Sequence, residues 1–166
     1  MKAIVAVDKN WGIGKKNGLL FSLPEDMKFF RETTLNKVCV MGYNTLLSFP
    51  DSKPLKNRVN IVLAPETVNR DDVIVTHSLE ELSATLKNYS GSDVFVIGGA
   101  MFYKTMLPYC EQILVTKVDA DGGAEVFYPN LDADKRFTLV SESETVNTNG
   151  YDIKFTVYKN NEVEKF

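Results

Sequence analysis

The chain has 166 residues, of which 44% are hydrophobic and 25% are charged, a composition typical of a folded globular domain rather than a disordered chain. Nineteen basic residues against 22 acidic ones give a net charge of -3, and no Lys/Arg run is long enough for a nucleic-acid-binding surface. Two cysteines and one histidine are too few for a disulfide framework or for a zinc site of Cys and His ligands.

The first apolar run, residues 3–7, is interrupted by Asp8 and is far shorter than a signal-peptide core or a membrane span. We therefore expect a cytoplasmic protein that does not contact membranes. We also expect residues 1–166 to form a single domain and the protein to be a monomer.

Residues 3–7 are the first predicted strand, and a long glycine-rich connection, residues 8–18, follows it. Connections of this length in a compact domain tend to be functional lids or disordered segments, and we name residues 8–21 the lid. Trp11, the only tryptophan, lies in the lid, and we expect it to be partly exposed. Pro24 suits the first turn of a helix, so a helix is predicted over residues 24–34.

The middle of the chain alternates between short apolar strands and short helices. Further strands are predicted over residues 38–41, 59–63, 73–75, 94–97 and 113–115, and further helices over residues 44–49, 79–86 and 100–107. The strands are β-branched and lack clean alternation, which is typical of strands buried on both faces of a largely parallel sheet. Ser78 and Glu81 have the spacing of a capping box at the start of the helix over 79–86.

The end of the chain has a different pattern. Residues 137–144 and 151–159 flank Asn149-Gly150, which predicts an antiparallel hairpin. The polar tail, residues 160–166, is expected to fray. In total the sequence predicts an α/β fold with eight strands and four helices.

Asp26 is the first candidate for chemistry. It lies one residue from Met27 and four from Phe30 on the predicted helix, and so shares a face with residues that favour burial. A buried carboxylate needs compensation, which a cationic or hydrogen-bond-donating ligand would provide. The alternative is an ordinary acidic residue at the wetted N-terminal end of a helix.

Two glycine turns form the second candidate site. Gly98-Gly99 follows a predicted strand and opens a helix, and Gly42 repeats this arrangement with Thr45 close behind it. Glycines let the backbone approach a ligand closely, and helix N-termini offer N–H groups to phosphate. Neither turn has the three spaced glycines of the dinucleotide fingerprint, so tight strand-to-helix turns are the alternative. The pair indicates an extended phosphorylated ligand.

These motifs, in this order and spacing, closely resemble dihydrofolate reductase. The resemblance covers essentially the whole chain and is specific as a set, although no single motif is. It is carried by Ile13-Gly14, Leu23-Pro24, Asp26, Phe30, Val40-Met41-Gly42, Thr45, Arg58, Ile97-Gly98-Gly99, Tyr103 and Thr116. It implies an eight-stranded, mostly parallel sheet with an antiparallel C-terminal strand and four flanking helices. The implied reaction is the reduction of 7,8-dihydrofolate to tetrahydrofolate with NADPH.

On the substrate side, the resemblance implies that Asp26 orients the pterin ring and promotes its protonation. It also implies that Thr116 hydrogen-bonds this carboxylate and that Arg58 pairs with the substrate's glutamate carboxylate, a task that suits guanidinium. Without the resemblance these would be a strand threonine and a surface arginine. The remaining implied substrate contacts, otherwise core residues, are Ile4, Val5, Met27, Phe30, Phe49, Leu55 and Ile97.

On the cofactor side, the resemblance implies a cis peptide between Gly98 and Gly99 and a lid that covers the nicotinamide and excludes water. A cis bond between non-proline residues would be unusual. The implied cofactor contacts are Ala6, Ile13, Gly14, Asn17, Leu19, Gly42, Tyr43, Asn44, Thr45, Leu63, Ala64, His77, Ile97, Gly98, Gly99, Ala100, Met101, Phe102 and Tyr103.

The chain departs from the family pattern in three places. Leu19-Leu20-Phe21 stands where Leu-Pro-Trp is typical, so the indole that helps to hold a water near the pterin is missing. Tyr43 replaces a basic residue, and Ala64-Pro65 replaces a hydroxyl residue and often a basic one. These positions normally bind the adenosine 2'-phosphate, so NADH is a possible cofactor beside NADPH. His77 could supply residual charge.

Two other functions remain compatible with the sequence. One is a reductase of another heterocycle, such as the ribityl-pyrimidine reductases of riboflavin synthesis. These share the glycine turns but generally lack the Leu-Pro-x-Asp helix, which is present here as residues 23–26. The other is a non-catalytic nucleotide-binding module. A decayed enzyme of that kind would be expected to lose Asp26 or Gly98-Gly99, and this chain keeps both.

Overall fold

The structure is a computed structural model that describes residues 1–16 and 18–166. Its large sheet contains β1 (Lys2–Val7), β3 (Val38–Gly42), β4 (Val59–Leu63), β5 (Ile74–Thr76), β6 (Val94–Val96), β7 (Gln112–Val118), β9 (Phe137–Glu142), β10 (Val146–Thr148) and β11 (Tyr151–Asn160). A small second sheet pairs β2 (Gly12–Gly14) with β8 (Val126–Phe127). The helices are α1 (Pro24–Thr34), α2 (Tyr43–Ser48), α3 (Leu79–Leu86) and α4 (Ala100–Met106), with short 3-10 turns between elements.

The strand order of the large sheet is β10-β11-β7-β1-β6-β3-β4-β5. The strands from β7 to β5 are parallel to one another, and β11 runs antiparallel to β7. The carboxyl ends of the parallel strands therefore meet at one edge of the sheet, which is where open α/β sheets bind their ligands.

The predicted eight-stranded sheet is confirmed, with one refinement at its edge. The predicted strand over residues 137–144 ends at Glu142, and β10 continues along the same side of β11. Nine strand segments thus occupy eight positions. The β2–β8 pair was not predicted, because its strands are only three and two residues long and β2 contains two glycines.

The four predicted helices are confirmed to within two residues at each end. The predicted capping box at α3 forms in part: the Ser78 hydroxyl accepts a hydrogen bond from Glu81 N at 3.1 Å. The Glu81 carboxylate, however, accepts from the backbone N–H of His77 rather than of Ser78. Among the described residues, no helix has both the length and the apolar character needed to span a bilayer.

The core lies on both faces of the parallel strands. Val40, Met41 and Ile61 are fully buried in β3 and β4, and Val96 is fully buried in β6. This burial explains why these strands lack alternation in the sequence.

Trp11 is buried, and the expectation of partial exposure was wrong. Its ring is only 7% exposed; it stacks on Tyr128 and meets the edge of Tyr158. The Lys117 ammonium lies 5.2 Å from the Trp11 ring centroid. These partners lie more than 100 residues away in the chain, so the local glycine-rich sequence gave no sign of them.

The C-terminal tail is docked, and the expectation that it frays was also wrong. The Phe166 ring packs on Tyr109 at 4.9 Å between centroids. The Ser83 hydroxyl donates to Phe166 O, and Glu164 N donates to Pro108 O. One aromatic side chain thus orders a segment of otherwise polar composition.

Candidate active site

The structure joins Asp26 to Thr116 directly. The Thr116 hydroxyl on β7 donates to Asp26 Oδ1 at 2.6 Å, and the Asp26 side chain is partly buried in the first turn of α1. Burial raises the pKa of the Asp26 carboxyl above its ordinary value, and the hydrogen bond from Thr116 acts in the opposite direction. This carboxyl therefore holds a proton at higher pH than an exposed aspartate does.

The start of α1 fixes the position of Asp26. Leu23, the residue before the helix, is buried against Val118 and Ile153. The next peptide is tethered as well, since Glu25 N donates to the Thr148 hydroxyl at 3.2 Å. The buried Leu23 side chain and the hydrogen bond of Glu25 thus fix the position and the rotation of the first turn of α1.

Several apolar side chains that are predicted to contact the substrate are partly exposed. Met27 is 59% exposed, and Phe30, Phe49 and Leu55 are partly exposed. Phe49, Leu55 and Ile97 pack against the buried cluster that contains Met41 and Leu46. These residues are accessible from outside, so they are not simply core. Ile4 and Val5, by contrast, are almost fully buried in β1.

Arg58 is held against the far end of α1. Its Nε donates to the Thr34 hydroxyl at 3.0 Å, Nη1 to Lys56 O at 2.7 Å and Nη2 to Arg31 O at 3.2 Å. A guanidinium has five N–H donors, so two remain for another acceptor. Asp26 lies five to eight residues earlier on the helix, roughly 8–12 Å away at 1.5 Å rise per residue.

The two glycine turns lie side by side. Gly42 N donates to Gly98 O at 2.9 Å, and the Gly98–Gly99 peptide is cis, as the resemblance implies. Gly98 has φ +138°, and a Cβ there would lie 3.2 Å from the Thr45 hydroxyl oxygen. No larger residue fits at Gly98 without strain, and a ligand can approach the backbone closely.

Tyr103 connects the glycine turn to the strand beside Thr116. Its N–H donates to Gly99 O at 2.8 Å, and its hydroxyl donates to Ile4 O at 2.6 Å. Burial, and to a smaller extent the nearby charge of Asp26, raise the pKa of the Tyr103 hydroxyl. Ala6, also on β1, is in register with Thr116 on β7. Tyr103 thus links the glycine turn to β1, which is the neighbour of the strand that carries Thr116.

The turns after β3, β4 and β5 meet farther along the same edge. Gly42 is in register with Leu63, and Leu63 with Thr76. His77 Nδ1 lies 3.2 Å from Ala64 O and 3.0 Å from Pro65 O. Tyr43 and Asn44, the first residues of α2, follow Gly42 at this edge.

The remaining predicted cofactor residues have varied surroundings. Gly14 is buried, Ile13 and Ala100 are partly buried, and Phe102 is buried with its Cβ near Gly42. Leu19 and Met101 are 82% and 86% exposed, and their assignment to the cofactor site stays a prediction. Asn17 lies outside the described residues.

Leu20 and Phe21, which stand where the family typically has Pro and Trp, pack against other parts of the chain. The Phe21 ring packs on Tyr151 of β11, with 4.8 Å between centroids. Leu20 and Phe21 also press on Gly122, where a Cβ would come within 2.9–3.0 Å of their side chains. Phe21 thus serves as a packing contact between the lid and the loop after β7.

Sequence reasoning missed Asp8 as a structural centre of the lid. Asp8 is 3% exposed and accepts hydrogen bonds from Asn10, Gly12 and Gly122. An acidic residue directly after a buried strand, in a glycine-rich loop, is the signal that could have revealed it.

The comparisons with known proteins agree with this geometry. The sequence profile of the family described as "Dihydrofolate reductase" matches residues 1–160. The chain belongs to the dihydrofolate reductase family. It is 36% identical to the dihydrofolate reductase of Schistosoma mansoni, with 95% of each chain covered. It is 33% identical to that of Bacillus subtilis, with 94% of this chain and 92% of the relative covered.

A solved dihydrofolate reductase from Enterococcus faecalis, complexed with NADP(H) and RAB-propyl, has the same fold. Its TM-score is 0.83 at 32% identity, with 96% of this chain and 95% of that chain covered. The family assignment favours dihydrofolate reductase over the ribityl-pyrimidine reductases. The retention of Asp26 and of the Gly98-Gly99 turn disfavours a non-catalytic module.

Proposed function

We propose that this chain reduces 7,8-dihydrofolate to 5,6,7,8-tetrahydrofolate, with NADPH as cofactor, in the cleft between Asp26 and the Gly98-Gly99 turn. The family assignment supports this reaction. The observation that carries the site is the partly buried Asp26 carboxyl, hydrogen-bonded by Thr116 and with a raised pKa.

In this proposal Asp26 orients the pterin and manages its proton. Thr116 occupies one lone pair of Oδ1, which leaves Oδ2 free to accept from the pterin's amino group and the adjacent ring nitrogen. Burial favours the protonated carboxyl, so the site promotes protonation of the ring nitrogen beside the carbon that is reduced. Arg58 offers its two remaining N–H donors to the substrate's glutamate carboxylate.

The residues present fit the cofactor. The Gly98-Gly99 backbone beside Thr45 forms a surface that a side chain at Gly98 would obstruct, as a diphosphate needs for close approach. The exposed part of Ile13 and the main chain of Gly14 would lie against the nicotinamide. When bound, NADPH supplies the hydride, while the chain's own groups hold it in line with the pterin.

The first test measures turnover of the purified chain with dihydrofolate and either NADPH or NADH, followed by the absorbance of the reduced nicotinamide. We expect NADPH to be used, with a narrow margin over NADH. The turn expected to bind the 2'-phosphate of NADPH offers it few donors, because Pro65 has no N–H and Ala64 has no hydroxyl. The Glu81 carboxylate, which accepts from the His77 N–H, also repels the negative charge of that phosphate. Absence of turnover with both cofactors would contradict the proposal.

His77→Gln should remove most of the remaining NADPH preference. His77 is the only imidazole in the chain and lies against the Ala64-Pro65 turn. We expect the ratio of kcat/KM for NADPH to that for NADH to fall about threefold, as for the loss of one hydrogen bond. An unchanged ratio would place the 2'-phosphate elsewhere.

Thr116→Val should shift the pH dependence of the reaction. The variant removes the hydrogen bond that lowers the pKa of Asp26, so that pKa rises. The fall of kcat/KM on the alkaline side should move to higher pH. Thr156→Val is the matched control, because Thr156 on β11 donates to Val115 O and does not contact Asp26. A shift to lower pH would refute the role of Thr116.

We further infer that the chain is a cytoplasmic protein whose residues 1–166 act as one domain. β1 lies between β7 and β6 at the centre of the large sheet, so a division of the chain into two units would break that sheet. Cys39 and Cys110 are buried free thiols, a state that fits a reducing compartment.

A further inference from the structure

The Asp8 carboxylate, which the proposed reaction does not use, joins two separate loops. Oδ1 accepts from Asn10 N at 2.8 Å and from Gly12 N at 2.7 Å, both within the lid. Oδ2 accepts from Gly122 N at 3.0 Å, in the loop between β7 and β8. Within residues 1–16 and 18–166, no Lys or Arg forms an ion pair with Asp8.

The two glycines that donate to this carboxylate, Gly12 and Gly122, are tightly packed. A Cβ on Gly12 would clash with Ala124 and would lie 2.9 Å from the Asp8 carboxylate oxygens. A Cβ on Gly122 would lie 2.9 Å from Leu20 Cδ1 and 3.0 Å from Phe21 Cζ. Two of the three backbone donors, Gly12 N and Gly122 N, therefore belong to glycines that approach their neighbours closely.

Asp8 also lies upstream of the residues proposed to contact nicotinamide. Gly12 is the first residue of β2, and Ile13 and Gly14 complete that strand. β2 pairs with β8, and Glu125 N donates to Gly14 O at 2.9 Å. The place of Ile13 therefore depends on how Gly12 is held.

We propose that Asp8 is a positioning residue whose carboxylate fixes β2, and with it Ile13 and Gly14, against the nicotinamide. This inference rests on the proposed function. Hydrogen bonds from backbone N–H groups to a carboxylate are charge-assisted and strong. Separating the two loops would leave the buried Oδ2 atom without its donor, Gly122 N, so the carboxylate holds the loops in one arrangement.

Asp8→Asn is the sharpest test because it breaks one bond and keeps two. The amide oxygen can still accept from Asn10 N and Gly12 N, while the amide NH₂ faces the N–H of Gly122. We expect single-turnover hydride transfer to slow about tenfold, as for one lost charge-assisted hydrogen bond. The Kd of NADPH, measured from the fluorescence of Trp11, the sole tryptophan, should rise about as much.

Asp121→Asn is the matched control. Asp121 lies next to Gly122, and its carboxylate accepts from Gly123 N at 2.9 Å within the same loop. The variant makes the same change of charge without touching the lid, so both quantities should stay within about twofold of the parent. If Asp8→Asn also stays within that range while its Tm falls, Asp8 is only structural and the proposal is overturned.

Gly122→Ala provides a second route if Asp8→Asn does not fold. The added Cβ pushes on Leu20 and Phe21 and separates the two loops without changing the charge. We therefore expect slower hydride transfer and a higher Kd of NADPH, as for Asp8→Asn. Unaltered hydride transfer in this variant would also overturn the proposal. If the parent chain does not reduce dihydrofolate, the proposed function fails, but the Kd of NADPH for Asp8→Asn still decides the role of Asp8.

Discussion

Replacing Asp26 with Asn is expected to lower kcat at neutral pH by about a hundredfold or more, the usual contribution of general acid catalysis. The amide oxygen can still accept from the Thr116 hydroxyl, so the fold and NADPH binding should stay near normal. The variant lacks only a group that can hold and give a proton. Steady-state kinetics together with the Kd of NADPH measure both effects.

The pH dependence of Asp26→Asn follows from the raised pKa. In the parent chain, the rate should fall as pH rises through the folded-state pKa of Asp26, and the variant should lose this decline. Asp71→Asn, at an exposed carboxylate, is the control that should keep it. An unchanged rate in Asp26→Asn would remove this residue from the mechanism.

The same variant should be more stable than the parent at neutral pH. Because the folded-state pKa of Asp26 lies above the ordinary aspartate pKa of 3.8, the folded chain binds more protons than the unfolded chain between the two pKa values. The free energy of unfolding therefore falls as pH rises through this interval. The gain in the free energy of unfolding from Asp26→Asn should be complete at pH values above the folded-state pKa of Asp26 and should vanish below pH 3.8.

Arg58→Gln is expected to raise the Kd of dihydrofolate about a hundredfold, as when one partner of a desolvated charge pair is removed. The glutamine side chain cannot reproduce the two parallel donors of guanidinium. The Kd of NADPH should not change, because Arg58 binds the C-terminal end of α1 and not the glycine turns.

Dihydropteroate, which lacks the glutamate, provides the control for Arg58. Its KM should be nearly the same for Arg58→Gln and for the parent chain. Arg136→Gln, which removes an arginine paired with Asp134 near β9, should affect neither substrate. An equal loss for both substrates would mean that Arg58 acts through the fold rather than through the substrate's carboxylate.

The large sheet and the four helices could be predicted because their signals are local. Pro24 marks the start of α1, and the Ser78-Glu81 spacing marks the start of α3; both features act within one helical turn. The β2–β8 pair could not be predicted, because it joins two very short segments that are more than 100 residues apart.

The candidate site depended on contacts that no local pattern reveals. Asp26 and Thr116 are 90 residues apart, and only the family resemblance paired them; Asp8 and Gly122 are 114 apart and were not paired. Leu19 and Met101 were assigned by the same resemblance, and their exposed side chains leave that assignment a prediction. The ligand roles of all site residues stay predictions.

The central place of β1 shapes how this protein must be made. Its neighbours are β6 and β7, and Ala3 pairs with Val96 on one side and Ile113 on the other. During synthesis β1 leaves the ribosome before both of its partners and stays unpaired until residues 94–96 of β6 have followed. Such long-range pairing slows folding and exposes nascent chains to aggregation. We therefore expect β1 to be a binding site for chaperones until β6 and β7 have been synthesised.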